Sequence, residues 1–185
     1  MKKIPTLFVR DPDDRKHVLP KVTPGCEWVM NGEGVATRKY DGTCVSWHDG
    51  DWWFRREVKP GKPAPDGWVE ADHDDATSKR VGWEPARPES SFIKPLREAI
   101  EQTFEFGQDI PEGTYELCGP KINGNPERYE RHTLIRHAHA MGYPAMNCPA
   151  GYGELRGVMS DLPWEGIVWH HPDGRMAKLK VRDFA

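Results

Sequence analysis

The sequence predicts an α+β fold, built mainly from antiparallel sheets with flanking helices, in a single domain spanning residues 1–185. Three observations predict it. Two stretches read as β-hairpins around an Asp-Gly dipeptide. Gly and Pro are spread along the chain, as in a protein of short strands and many turns. Helical periodicity is confined to two segments.

The first hairpin lies within Gly34 to Val58. The apolar and β-branched run Thr43-Cys44-Val45-Ser46-Trp47 leads into His48-Asp49-Gly50-Asp51, and Trp52-Trp53-Phe54-Arg55-Arg56 returns. Asp-Gly tolerates the positive φ that a tight turn needs. Trp52 and Trp53 are adjacent, so at most one is buried. Lys59 to Glu89 is rich in Pro, Gly and charge, and reads as a surface excursion anchored by Trp68, Val69, Val81 and Trp83. A helix follows, capped by Ser90 or Ser91, with Leu96, Ala99, Ile100, Thr103 and Phe104 on one face and Pro95 in its first turn. Thr114 to Cys118 is a strand, and His137 and His139 are placed on one side of another. A shorter helix is predicted around Tyr152, Leu155, Met159 and Leu162, before Pro163. The second hairpin joins Gly166-Ile167-Val168-Trp169 to Met176 through Val181 across His170-His171-Pro172-Asp173-Gly174, a turn expected to be wet.

Composition bounds the partners. Eight Trp, six Phe and five Tyr exclude a disordered chain. No apolar run has the length of a membrane span, so no membrane partner is expected, and no protein partner is implied. Cys26, Cys44, Cys118 and Cys148 are scattered, with no spacing of Cys or His that suits a structural zinc site or a disulfide framework; a reducing, cytoplasmic setting is expected. The net charge is −3, but five acids (Asp66, Glu70, Asp72, Asp74, Asp75) lie together in a stretch without Lys or Arg. Arg175, Lys178, Lys180 and Arg182 concentrate positive charge near the C-terminus. Phosphate binding follows the local field, so the acidic total does not exclude a nucleic acid.

Four short segments carry the chemistry: Lys39-Tyr40-Asp41-Gly42-Thr43, Tyr115-Glu116-Leu117, Glu165-Gly166-Ile167-Val168 and Lys178-Leu179-Lys180. Alone, each is an ordinary turn lysine, turn into a strand, or edge-strand face. In this order, over about 140 residues, the set resembles motifs I, III, IV and V of the covalent nucleotidyltransferases, a superfamily of DNA ligases, RNA ligases and mRNA capping enzymes. The resemblance is closest to the compact ATP-dependent 5′–3′ RNA ligases also found in vertebrates. Thr6 to Asp11, Glu27-Trp28-Val29, Lys39 to Cys44, Gly113 to Asn123 and Glu165 to His170 carry it, over nearly the whole chain.

The resemblance implies an ATP-grasp-like ligase nucleotidyltransferase domain, with ATP and Mg2+ or Mn2+ as cofactors and RNA 5′-phosphate and 3′-hydroxyl ends as partners. Lys39 would be the nucleophile. A free lysine is protonated at neutral pH, so such a site must supply nearby cations or burial. Lys178 and Lys180 would provide positive charge for the α-phosphoryl oxygens, Lys178 being the favoured one because the second lysine is not universal among the RNA ligases. Glu165 would hold the metal, with Glu116 near it or on the ribose hydroxyl. Arg38, Asp41, Gly42 and Ile167 complete the implied nucleotide site, with Asp41 shaping the turn that aims Lys39. Arg55 matches the residue that contacts phosphate or the nucleic-acid end, assisted by Lys59; Arg56 faces away, because strand side chains alternate. Arg10, in Phe8-Val9-Arg10-Asp11, would reach the triphosphate unless it forms an ordinary ion pair. The adenine-stacking residue is His137 or Tyr129.

DNA ligases and capping guanylyltransferases normally carry an oligonucleotide-binding barrel after the last motif, whereas five residues follow Lys180 here. No such barrel is therefore expected, which favours an RNA ligase. A catalytically silent RNA-end binder would have no need of Lys39.

Overall fold

The computed structural model describes residues 2–75 and 78–184. In chain order its elements are β1 (Phe8–Arg10), β2 (Val18–Val22), α1 (Glu27–Met30), β3 (Val35–Lys39), β4 (Thr43–His48), β5 (Asp51–Val58), β6 (Val69–Asp74) and β7 (Lys79–Pro85). Then come α2 (Ile93–Glu105), β8 (Gly113–Cys118), β9 (Thr133–Arg136), α3 (Tyr152–Ser160), β10 (Gly166–His170) and β11 (Met176–Lys180). The architecture is mixed α+β, with antiparallel ladders throughout these strands. Among the described residues, no helix is long and apolar enough to cross a membrane. The chain forms two compact units.

The first unit comprises Asp41–His139 with the N-terminal residues through Lys3. Its six-stranded sheet runs β6-β7-β5-β4-β8-β9. At the β4–β5 turn Asp49 (φ 51°) and Gly50 (φ 80°) both take positive φ, the pair of angles that a two-residue hairpin turn needs. One sheet face buries Val45, Phe54, Tyr115 and Leu117 against Leu96 and Ala99 of α2. Trp47 and Trp52, paired across the hairpin, stack at 5.3 Å on the same side.

Three details depart from the sequence expectation. The stretch from Lys59 to Glu89 is not all surface loop, because it supplies β6 and β7, which extend the sheet beyond β5. The acids of β6 there meet Lys3 and Arg80 rather than one another. Neither serine caps α2: Ser90 Oγ accepts the Arg87 N–H in the preceding turn, and the helix begins after Phe92, whose ring packs on Phe54. Phe104, expected on the buried face, is 60% exposed.

The second unit comprises Ile4–Tyr40 and Ala140–Ala185. It holds the three-stranded sheet β11-β10-β3 and the β1–β2 ladder, with α1 and α3 around a core of Leu7, Phe8, Trp28, Leu155, Met159, Ile167, Trp169 and Leu179. The Trp169 indole N–H donates to the Met146 carbonyl, which satisfies its polar atom inside that core. The second hairpin turns at Gly174, with φ 92°. His170 and His171 are half-buried there rather than fully wet: His171 packs edge-on against Trp28 and pairs with Asp173.

Gly166 sits where β11 leaves no room for a side chain on β10. A Cβ added there would lie 2.1 Å from the Leu179 carbonyl oxygen and 2.8 Å from Lys180 Cα. Backbone cannot yield as a flexible side chain does. Gly166→Ala is therefore expected to destabilise the chain by about 1–3 kcal/mol, read as a lower urea midpoint with an unchanged slope.

Candidate functional site

The β10 register with its two neighbours decides the first cluster, in the second unit. Gly166 pairs with Lys39 on one side and Lys180 on the other. Directly paired residues project to the same sheet face, so the two lysines flank a position without a side chain. Glu165 precedes that position, and its carboxylate occupies the space between them. Its Oε2 accepts a hydrogen bond from Lys39 Nζ and its Oε1 accepts one from Lys180 Nζ. The side chains are 19% (Lys39), 17% (Lys180) and 10% (Glu165) exposed, so solvent screens these contacts only partly.

Burial alone would raise the Glu165 carboxyl. The Lys39 charge, with hydrogen bonds from Lys180 and Lys39, outweighs it and holds the group below its ordinary 4.5. Glu165 is thus an anion throughout the neutral range. Lys39 Nζ also reaches the Tyr40 carbonyl at 3.3 Å. Lys178 lies one row along, opposite Val168 and thus level with Thr37, on the same face as Lys180, while Ala177 and Leu179 are buried behind them. Its main chain is bonded on both sides, to Pro5 and Leu7.

The opposite face takes Arg38 and Ile167. Ile167 is fully buried in the core. The Arg38 guanidinium carbon sits 4.5 Å from the Tyr40 ring centre and 5.2 Å from that of Trp164, which are cation–π distances. Neither side chain joins the lysine row. Arg10 forms the ordinary ion pair that the sequence left open: its guanidinium donates to Asp183 at 2.8 Å, and Asp183 is 1% exposed. Asp183 also accepts the Lys180 N–H, so it ties β1 to the end of β11.

The second cluster lies in the first unit, on the sheet face away from α2. Glu116 pairs with Cys44 across β8 and β4, and Thr114 pairs with Ser46. Glu116 Oε1 accepts the Gly42 N–H at 3.0 Å, and Oε2 lies 3.0 Å from His137 Nε2. His137 Nδ1 lies 2.9 Å from Thr114 Oγ1. His137 and His139 are not on one side of a strand, because β9 ends at Arg136 and the chain turns through a 3-10 segment, His137–His139. That turn brings the imidazole back over β8.

Gly42 is held hard against β8. A Cβ there would meet the Leu117 carbonyl oxygen at 2.4 Å and Glu116 Cγ at 2.8 Å. Asp41 is shaped by its neighbours: its N–H donates to Glu127, and its carboxylate accepts from Asn123 at 3.2 Å. Arg55 alternates with the buried Phe54, which puts it on the Glu116 side of the sheet, beside Trp83. Its buried Nε has no hydrogen-bond partner among the described residues. Arg56 projects the other way, onto Glu84 at 2.8 Å. Lys59 is exposed just beyond β5. The Tyr129 N–H donates to Asn125 Oδ1 in a loop of the same unit.

Sequence reasoning missed Thr114, Cys44 and Asp183. Thr114 had a signal, its two-residue spacing from Glu116 on a strand. Cys44 and Asp183 had none, because Glu116 and His137 lie far from Cys44 in the chain, and Arg10 far from Asp183. Comparison with models of known protein families finds no match, and comparison with curated proteins finds none either.

Proposed function

We propose that this chain is an ATP-dependent RNA ligase, on an ATP-grasp-like nucleotidyltransferase fold, that joins 5′-phosphate and 3′-hydroxyl ends through a lysyl-AMP at Lys39. The observation that carries the reading is the Glu165 carboxylate held between Lys39 and Lys180. It places a primary amine, a second cation and an ionised acid at one point, the groups that adenylyl transfer onto lysine requires. The order of the four motifs along the chain supports the same reading.

Lys39 Nζ, after losing its ammonium proton to solvent, attacks the α-phosphorus of ATP. The bond to pyrophosphate breaks and a phosphoramidate remains on Lys39. An oxygen of the RNA 5′-phosphate then attacks that phosphorus, and Lys39 leaves and takes up a proton. Finally the 3′-hydroxyl oxygen attacks the activated 5′-phosphorus, loses its proton and expels AMP. Lys180, with Lys178 on the same face, sets positive charge against the phosphoryl oxygens. The resemblance assigns the ribose to Glu116 and the nucleic-acid end to Arg55, whose buried Nε has no hydrogen-bond partner among the described residues.

Magnesium or manganese fits the donor set. Glu165 offers hard oxygens in an ionised state, and such ions keep several waters and need only one or two carboxylates. When bound, the ion supplies charge neutralisation at the α-phosphate.

The test is covalent labelling. Protein is incubated with ATP, GTP or NAD carrying label on the transferred nucleotide, then offered 5′-phosphorylated RNA and DNA substrates side by side. ATP alone is expected to label the chain, with RNA sealed better than DNA. Labelling by GTP alone would instead make it a capping-type guanylyltransferase, and preferential sealing of DNA nicks a DNA ligase. No labelling by any nucleotide would leave a non-catalytic RNA-end binder.

A further inference from the structure

We propose that Cys44, Glu116 and His137 form a zinc site, through which zinc restrains the nucleotide reaction. No spacing in the sequence suggests it, because the three residues come from β4, β8 and the turn after β9. Folding brings their ligand atoms, the Cys44 sulfur, a Glu116 oxygen and a His137 nitrogen, within 4.8 Å of one another. All three side chains are half-buried, so they are pre-placed yet reachable by an ion.

The donor chemistry selects the metal. One sulfur, one imidazole nitrogen and one carboxylate oxygen suit zinc, which is commonly held by three protein ligands with water in the fourth position. A thiolate disfavours magnesium and manganese, so this site differs in kind from a carboxylate site for those ions. Zinc bonds of about 2.0–2.3 Å place tetrahedral donors roughly 3.3–3.7 Å apart. The 3.0 Å between His137 Nε2 and Glu116 Oε2 is close to that spacing. Small side-chain rotations bring in the sulfur.

The groups behind the ligands are also in place. Thr114 Oγ1 lies 2.9 Å from His137 Nδ1, and the Gly42 N–H holds the Glu116 oxygen not facing the imidazole. Such outer partners fix ring orientation and tautomer in zinc proteins. Binding forms the Zn–S, Zn–N and Zn–O bonds and releases the Cys44 thiol proton to solvent. Zinc takes the Nε2 lone pair, so the single imidazole proton moves from Nε2, where it faces the Glu116 carboxylate, to Nδ1, where the Thr114 hydroxyl can accept it. A second metal-capable group among the described residues of this unit, His48, Asp49 and Glu112, is exposed near a hairpin tip and has no sulfur. It serves as the control.

The regulatory half rests on the ligase reading. Glu116 is the residue there assigned to the ribose, and a carboxylate engaged by zinc is withdrawn from a ribose hydroxyl. Zinc is therefore expected to suppress labelling of Lys39 by ATP.

The experiment separates the two claims. Cobalt(II), titrated into the reduced full-length chain, is expected to give a sulfur-to-metal charge-transfer band and visible d–d bands at one equivalent, both bleached by zinc. Cys44→Ser removes the charge-transfer band. Thr114→Val keeps the band but weakens binding by about 10–100-fold. His48→Ala and Cys148→Ser leave the spectrum unchanged. Circular dichroism checks that each variant is folded, and Cys44→Ala is the substitute if Cys44→Ser is not. A charge-transfer band that survives both Cys44 variants, or no band in the wild type, overturns the site. In the activity arm, zinc inhibits labelling of the wild type, and Cys44→Ser needs at least ten times more zinc. Bands present with no labelling by ATP overturn the ligase reading and leave the site standing. Bands present with labelling that zinc does not touch overturn the regulatory claim alone.

Discussion

Lys39→Ala is expected to lose covalent labelling by ATP completely and to remain folded. Folding survives because Glu165, left without Lys39, still accepts a hydrogen bond from Lys180, so no buried charge is stranded. Chemistry does not survive, because the remaining cation of the row is fixed opposite Gly166 on the far strand. Lys39→Arg sharpens the result. A guanidinium can restore the ion pair to Glu165 but does not deprotonate in proteins, so it cannot act as the nucleophile. Arginine is thus expected to recover the stability of the wild type while labelling stays at background. Gel autoradiography beside urea unfolding reads both quantities. Labelling that persists in Lys39→Ala would place the nucleophile elsewhere and end the assignment of this cluster.

Glu165→Ala has the larger effect on stability. It leaves two ammonium groups, each under one-fifth exposed, on one sheet face with the shared anion gone. Removing the partner of a buried charge costs up to about 3–5 kcal/mol. Hydrogen exchange is the suitable measurement, because the loss should appear as lower protection in β3, β10 and β11 while β4, β5 and β7 keep theirs. Equal protection in wild type and variant would show that the ion pairs contribute nothing.

Acid should produce the same loss in the wild type. The Glu165 carboxyl is held below 4.5 in the folded chain, so its contribution is complete above pH 4.5. It is lost as pH falls from there through the depressed folded value. The stability gap between wild type and Glu165→Gln should accordingly be constant at neutral pH and close below 4.5. A gap that widened on acidification would reverse the sign of the assignment.

The two hairpins were legible because everything that makes them is local. Asp49-Gly50 supplies the turn angles and the flanking residues alternate, so β4, β5, β10 and β11 follow from neighbours in the chain. The two longer helices, α2 and α3, were legible in position, since Leu96 and Ala99, or Leu155 and Met159, repeat at helical spacing, whereas the single turn of α1 was not read. Their ends were not. Ser90 is a good capping residue by type, and only the fold shows its hydroxyl already engaged by Arg87. Nor were β3, β6 and β7 read as strands. The interior of β3 contains Thr37 and Arg38, and the acids of β6 resemble a loop until Lys3 and Arg80 neutralise them.

The site divides in the same way. Residue types and their order were enough to single out Lys39, Glu116, Glu165, Lys178 and Lys180, because nucleophile, acid and cation chemistry is a property of side chains. Lys178 was favoured of the last two, although it is Lys180 that reaches Glu165. Which of them meet is a property of register. Pairing Gly166 with both Lys39 and Lys180 puts two ammonium groups on one carboxylate, and a slip of one residue would send every one of those side chains to the buried face. The turn that ends β9 is likewise what sets His137 over Glu116 and Cys44. Local preferences act over a few residues and are written in neighbours. Contacts between strands far apart in the chain depend on how a whole sheet buries its apolar face, and that is decided only when the core assembles.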